Sequence, residues 1–117
     1  IPSDPRFEKG FLLFNSCEWY LAHDIFEEIW HETYGTSRQT IQAILQVAVA
    51  HVHLQNGNTN GATILLGESL GRLKKVDIPN LGIDIELLRN AIEERLKLLQ
   101  AGCDPYECDN PVLYKLV

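Results

Sequence analysis

The residues best suited to chemistry lie at helical spacing on two consecutive segments of the chain. His23, Glu27 and Trp30 are separated by four and then three positions, so they project along nearly one line of a helix. Gln46 and His53 are seven positions apart on the next helix-forming segment, where they form a second polar line between two apolar faces. Because each buried, unpaired polar group costs roughly 1 to 3 kcal/mol, we expect the two lines to meet in a buried, hydrogen-bonded network.

Besides ordinary exposure of these side chains to solvent, two interpretations of a network follow from the chemistry of its members. In the first, the network only fixes the register of two packed helices. In the second, it lines a pocket in which a histidine paired with a carboxylate acts as a base or as a ligand. A water-reachable cleft at His23 and Glu27 would favour an enzyme, whereas complete burial of the two side chains would exclude one.

A metal site is not predicted. Glu28 and His31 form a Glu-x-x-His pair like those of di-iron sites in helical bundles. Such sites require a second pair, and the two-residue spacing of His51 and His53 points these side chains apart on a helix. Glu28 and His31 also lie away from the apolar face, so we expect a solvated ion pair there, and no cofactor.

Charge and composition disfavour several classes of function. The formal net charge of −6 repels a phosphate backbone, so nucleic acid is not an expected partner. No apolar run approaches the roughly 18 residues that span a bilayer and no secretory leader is visible, so we expect a cytoplasmic domain with no membrane contact. No serine or cysteine lies beside a histidine as a nucleophile would, and Gly57, Gly61 and Gly67 form no phosphate loop.

The cysteines do not predict a structural disulfide. Cys17, Cys103 and Cys108 are odd in number, and the last two lie in a segment rich in Asp and Pro. Cys103 and Cys108 could approach one another, but a reduced pair is the expectation in the cytosol.

Helical periodicity and capping residues predict an all-α fold, with about five helices packed as antiparallel hairpins around one core. Helices are expected over residues 4–15, 17–33, 37–56, 59–75 and 84–101. The third is apolar on two sides, which is typical of a central helix. A tight reversal at Gly57-Asn58, followed by the small residues Gly61 and Ala62, is expected to bring the third and fourth helices close together.

The length of the chain indicates one domain over residues 1–117. Residues 103–117 are expected to form a tail. The end of that tail, from Pro111 onwards, is too apolar to stay in water without cost, so it should pack on the body or on a partner.

A longer series of residues, which includes the polar ones above, has a recognisable spacing. Its members are Phe14-Asn15, Tyr20, His23-Asp24, Glu27, Trp30, Ile44, Gln46, Ala48, His53, Gly57-Asn58, Gly61-Ala62 and Leu73. The series resembles the bacterial and archaeal family called domain of unknown function 309, a small multihelical domain. The resemblance spans residues 7–75, and residues 77–104 look most like cyanobacterial members.

What this resemblance implies about activity is modest, because the family is named for having none assigned. Its pattern falls on the same five polar residues that helical geometry singles out. Two positions depart from it: Asn60 stands where a basic residue is frequent, and His51 stands where an aromatic or aliphatic one is more usual. The first departure weakens any anion-binding role for the start of the fourth helix.

Three functional hypotheses follow. The first is a non-enzymatic binding or structural module that takes a protein or a small ligand in the groove between the second and third helices. The alternative is an acid–base or metal-assisted hydrolase that uses His23, Glu27 and His53 in a cleft between the same helices. The third is a structural subunit that forms a homodimer through its apolar tail or through the face that carries Trp19.

Overall fold

The computed structural model describes residues 3–116, and regular structure within that range is helical. The helices are α1 (Pro5–Asn15), α2 (Trp19–Glu32), α3 (Ser37–Gln55), α4 (Thr59–Leu73) and α5 (Ile85–Gln100), followed by a 3₁₀ turn at Pro105–Glu107. None of the helices in residues 3–116 has both the length and the apolar content needed to cross a bilayer. The predicted all-α fold of five helices is confirmed.

Capping side chains explain where several helices begin. Asp4 accepts a hydrogen bond from the Arg6 N–H at the start of α1, and Asp84 accepts one from the Leu87 N–H at the start of α5. The predicted helix ends agree with the observed ones to within two residues. Cys17, which was expected inside α2, instead lies in the preceding loop with a left-handed φ of 60°.

Helix α3 lies at the centre of the core, as its two apolar faces predict. It packs against α2 on one side and α4 on the other, and each helix contacts the next along the chain. Short connections between successive, contacting helices are those of antiparallel hairpins. Ile41 and Ile44 of α3 are fully buried, and burial of each such side chain contributes roughly 1.5 to 3 kcal/mol.

The reversal between α3 and α4 is built from residues that allow a close approach. Gly57 has a φ of +75°, a conformation that L side chains rarely adopt. The Asn58 side chain accepts a hydrogen bond from the Gly61 N–H at 2.9 Å and caps α4. A Cβ on Gly61 would lie 2.7 Å from Nδ2 of Asn58, so a larger residue would displace this capping side chain.

The segment after α5 folds back onto the body of the domain. The Asn15 side chain at the end of α1 donates to the Leu113 carbonyl at 2.9 Å and accepts from the Leu113 N–H at 2.7 Å. Lys115 reaches the Glu8 carboxylate at 3.1 Å. Leu113 is buried in the same core as the helices. Of the two packing sites expected for this apolar segment, the structure shows the body.

Arg95 of α5 holds this segment against the core. Its side chain is 1% exposed, and in residues 3–116 no carboxylate oxygen lies within 4 Å of its guanidinium nitrogens. Its N–H groups instead donate to neutral acceptors, which are the Pro105 carbonyl at 3.0 Å, the Cys108 carbonyl at 3.0 Å, Oδ1 of Asn110 at 2.8 Å and Nε2 of His51 at 2.9 Å.

We predict that Arg95→Met lowers the free energy of unfolding by about 3 kcal/mol, because several covered acceptors lose their donor at roughly 1 to 3 kcal/mol each. Urea denaturation measures this. Arg89→Met, on the same helix and without a hydrogen bond in the described structure, is the matched control and should change the value by less than about 0.5 kcal/mol. Equal losses in the two variants would show that water replaces Arg95 without cost.

Candidate functional site

His23 and Glu27 form a pair on a single helix, open to solvent. Nε2 of His23 lies 3.1 Å from the Glu27 carboxylate, and Nδ1 lies 3.2 Å from the carboxylate of Asp24. The His23 side chain is 23% exposed and that of Glu27 is 48% exposed, so the pair is not sealed in the core. Each ring nitrogen thus faces a carboxylate of α2, and only a doubly protonated ring can donate to both.

Gln46 does not join this pair. Its side chain donates to Glu68 at 3.1 Å and accepts from Nε of Arg72 at 3.1 Å, and both partners belong to α4. The prediction of one buried network between α2 and α3 is therefore wrong. The reason is that α3 has packed neighbours on both sides, and residue spacing alone does not say which neighbour a buried polar group faces.

His53 belongs to the reversal that joins α3 to α4. Its Nδ1 lies 3.2 Å from Nδ2 of Asn58, the same residue that caps α4. Its partner is thus a turn residue rather than a carboxylate. The side chain is half-buried, and the described structure gives it no hydrogen bond to His23 or Glu27.

Trp30 is the third member of the α2 line, and its neighbour is a residue that the sequence interpretation missed. The guanidinium carbon of Arg38, in the first turn of α3, lies 3.9 Å from the centroid of the Trp30 ring. We call this contact the Trp30–Arg38 stack. Nε1 of Trp30 and Nε of Arg38 are both covered, and neither has an acceptor in residues 3–116. The sequence feature that could have predicted this contact is the basic residue Arg38 directly after the turn between α2 and α3.

Glu28 and His31 do not form the expected ion pair. Glu28 lies at the limit of ion-pair distance, 4.0 Å, from Arg6 of α1, and Arg6 binds Glu32 at 2.7 Å. Both Glu28 and His31 are exposed. In the described part of the chain, no three His, Cys, Asp or Glu side chains are grouped as a metal site requires.

His51, which is not among the five polar residues predicted from spacing, is the buried histidine of the fold. Its Nδ1–H donates to the Val47 carbonyl at 2.7 Å, which leaves the Nε2 lone pair to accept from Arg95 at 2.9 Å. Its ring stacks on Trp19 with a centroid distance of 4.2 Å. Burial lowers the pKa of His51 to about 4; the hydrogen bond to Val47 opposes that shift, and the charge of Arg95 adds to it.

Mild acid should therefore destabilise the fold through His51. The histidine pKa is 6.5 in the unfolded chain and about 4 in the folded one. Between these values the unfolded state binds more protons, so stability falls as the pH falls from 6.5 towards 4, by roughly 3 kcal/mol in total. Urea denaturation at about pH 7 and about pH 4.5 measures the loss.

The matched variant for this measurement is His51→Gln, which does not titrate and should show a smaller loss. Hydrogen bonds from Arg6 also lower the pKa of the Asp4 and Glu32 carboxyls, so both lose stabilisation as the pH falls through their lowered pKa values. That contribution is common to wild type and variant and cancels in the comparison. His31→Gln should keep the wild-type loss, and an equal loss in His51→Gln would contradict the assignment.

Comparison with known proteins places these residues in a family. Residues 7–65 match the family described as Domain of unknown function (DUF309), which is 59 of the 117 residues. The matched stretch contains most of α1, all of α2 and α3 and the start of α4, including the Trp30–Arg38 stack. No curated protein matches the chain at a significant level. Since the match covers half of the sequence, the chain belongs to this family of domains of unknown function.

Proposed function

We propose that this domain is a non-enzymatic binding module whose ligand lies in the groove between α2 and α3, against the Trp30–Arg38 stack. The observation that supports the proposal is a pair of covered N–H groups without acceptors, one on each residue of the stack. Each such group costs the folded state roughly 1 to 3 kcal/mol. Because both atoms are covered, a ligand reaches them only when the Arg38 side chain shifts on the indole ring, and its acceptor atoms would then recover this free energy.

We assign Arg38 to ligand binding rather than to the stability of the fold. In residues 3–116 its guanidinium has no carboxylate within 4 Å, whereas Arg6 and Arg95 each make several hydrogen bonds. The indole ring beneath it restricts its rotation. A group that is already ordered loses less conformational entropy when a ligand arrives.

The rest of the polar line on α2 extends the proposed surface. His23 and Glu27 lie on the same side of the helix as Trp30, within two turns of it. Neither Glu27 nor Asp24 has a Lys or Arg partner within residues 3–116. The proposed ligand therefore meets donors at the stack and acceptors one to two turns away along α2.

A hydrolase that uses His23 and Glu27 is the second candidate, and the exposure of this pair to water favours it. His53, its third proposed member, is hydrogen-bonded to Asn58 instead. A general base also needs a ring nitrogen that can accept the substrate's proton, and both nitrogens of His23 face carboxylates. These contacts favour the binding module.

The proposed partner is a protein segment or a small ligand and not a nucleic acid, since the net charge of −6 repels a polyanion. A cytoplasmic location is part of the same proposal, and the free thiols at Cys17, Cys103 and Cys108 agree with it. Homodimerisation remains a further proposal, for which the exposed Tyr114 and Leu116 at the end of the chain provide apolar surface.

If the unpartnered donors serve a ligand, Trp30→Phe should not lower the free energy of unfolding of the unliganded domain. The variant keeps an aromatic ring under Arg38 and removes a covered donor, so the value should stay constant or rise by up to about 1 kcal/mol. Urea denaturation measures it.

Trp19→Phe is the comparison for this measurement. Trp19 is buried between Phe14 and His51, so its loss should cost about 1 to 3 kcal/mol. If Trp30→Phe costs as much as Trp19→Phe, the indole N–H of Trp30 contributes to folding, and the binding proposal loses its supporting observation.

A further inference from the structure

We infer that the group recognised at the Trp30–Arg38 stack is an anionic oxygen group, a carboxylate or a phosphate carried by a small ligand. The inference rests on the proposed binding function and adds the chemistry of the ligand. It depends on three features of the same corner: the donors, the charge and the start of α3.

The donors match an oxygen anion. A guanidinium has N–H groups on one edge that match two oxygens of a carboxylate or phosphate, and Nε of Arg38 belongs to such an edge. The indole Nε1–H of Trp30 is a donor only, so it also requires an acceptor. Both atoms are covered and lack an acceptor in the described structure, so an anion reaches them when the half-buried Arg38 side chain shifts on the indole ring. A cationic ligand group would leave both of them unsatisfied.

Arg38 forms no ion pair within the described structure. No acidic side chain of residues 3–116 lies within 4 Å of the Arg38 guanidinium nitrogens. Arg72, also half-buried and also without a carboxylate at that distance, is engaged by the amide oxygens of Gln39 and Gln46. Arg38 has no such neutral partner, and an anion would provide the missing one.

The start of α3 adds positive electrostatic potential beside Arg38. Thr36 precedes the helix without forming a side-chain cap, and the first turn contains no acidic residue. The positive end of the helix dipole is therefore uncompensated beside Arg38. The net charge of −6 opposes the approach of an anion from a distance, so selectivity must come from contacts at the stack.

The chain offers a direct readout, because it contains two tryptophans and so two indole N–H signals in a ¹H–¹⁵N spectrum. Trp30→Phe assigns the signal of Trp30, and the Trp19 signal reports the integrity of the core. The full chain is titrated with sodium phosphate, sodium acetate, sodium chloride and acetamide, with ionic strength held constant. We expect phosphate or acetate to shift the Trp30 signal in a saturable way, while chloride and acetamide leave it in place.

Two variants connect that shift to Arg38. Arg38→Gln should abolish it, and Arg38→Lys, which keeps the charge but not the planar edge, should weaken binding by about tenfold. Arg89→Gln is the control and should retain wild-type affinity. An unchanged Trp19 signal shows that each variant is folded, and the comparison of phosphate with acetate distinguishes the two sources of the anion.

Two outcomes would overturn the inference. One is a Trp30 signal that does not respond to either anion, or responds equally in Arg38→Gln. The other is an equal response to acetamide and acetate, which would show that a neutral acceptor is enough. Neither outcome decides the proposed function, since the unfolding measurements on Trp30→Phe use no ligand.

Discussion

One buried guanidinium, that of Arg95, makes four hydrogen bonds. Three go to the segment that follows α5, and one goes to His51 of the central helix α3. Arg95 brings a positive charge into the core, and a buried charge is tolerated only where its N–H groups find acceptors. Within residues 3–116, none of the acceptors of Arg95 belongs to its own helix. The chain beyond Gly102 must therefore return and present the carbonyls of Pro105 and Cys108 to it.

The same requirement fixes the chemical state of the core. Burial holds the His51 ring neutral, and because Nε2 accepts from Arg95, the proton lies on Nδ1 and points at the Val47 carbonyl. The flat face of that ring is then available to Trp19, whose own edge contact is with Phe14. One polar residue on α5 thus fixes which nitrogen of His51 accepts a hydrogen bond, on a ring whose face packs against Trp19.

The helices of this fold could be predicted because period, caps and glycine positions all indicate the same ends. Arg95 could not be interpreted in the same way, although a signal existed. It lies three positions after Ile92 and seven after Leu88, on the apolar line of α5, where a charge is unexpected. Two of its four acceptors are backbone carbonyls, which every residue has, so no side-chain pattern identifies those two.

The candidate site was predictable in part for a related reason. Spacing within one helix is reliable, so the line of His23, Glu27 and Trp30 on α2 appears in the structure as expected. Pairing between helices is not encoded by spacing. Gln46 has its partners on α4, and Arg38, which completes the contact with Trp30, resembles an ordinary solvent-facing residue at a helix start.

The pair of hydrogen bonds between Asn15 and Leu113 affects the order in which the chain folds. Most contacts between helices join neighbours in sequence, so the loops they close are short. The two hydrogen bonds between Asn15 and Leu113 join residues 98 positions apart. Loop-closure entropy grows with separation, and local contacts form first in helical proteins. The returning segment therefore docks last, onto helices already assembled, and is the first part to detach when the domain opens. Partial opening would then take the acceptors on Pro105, Cys108 and Asn110 away from Arg95 while most of the helical core stays folded.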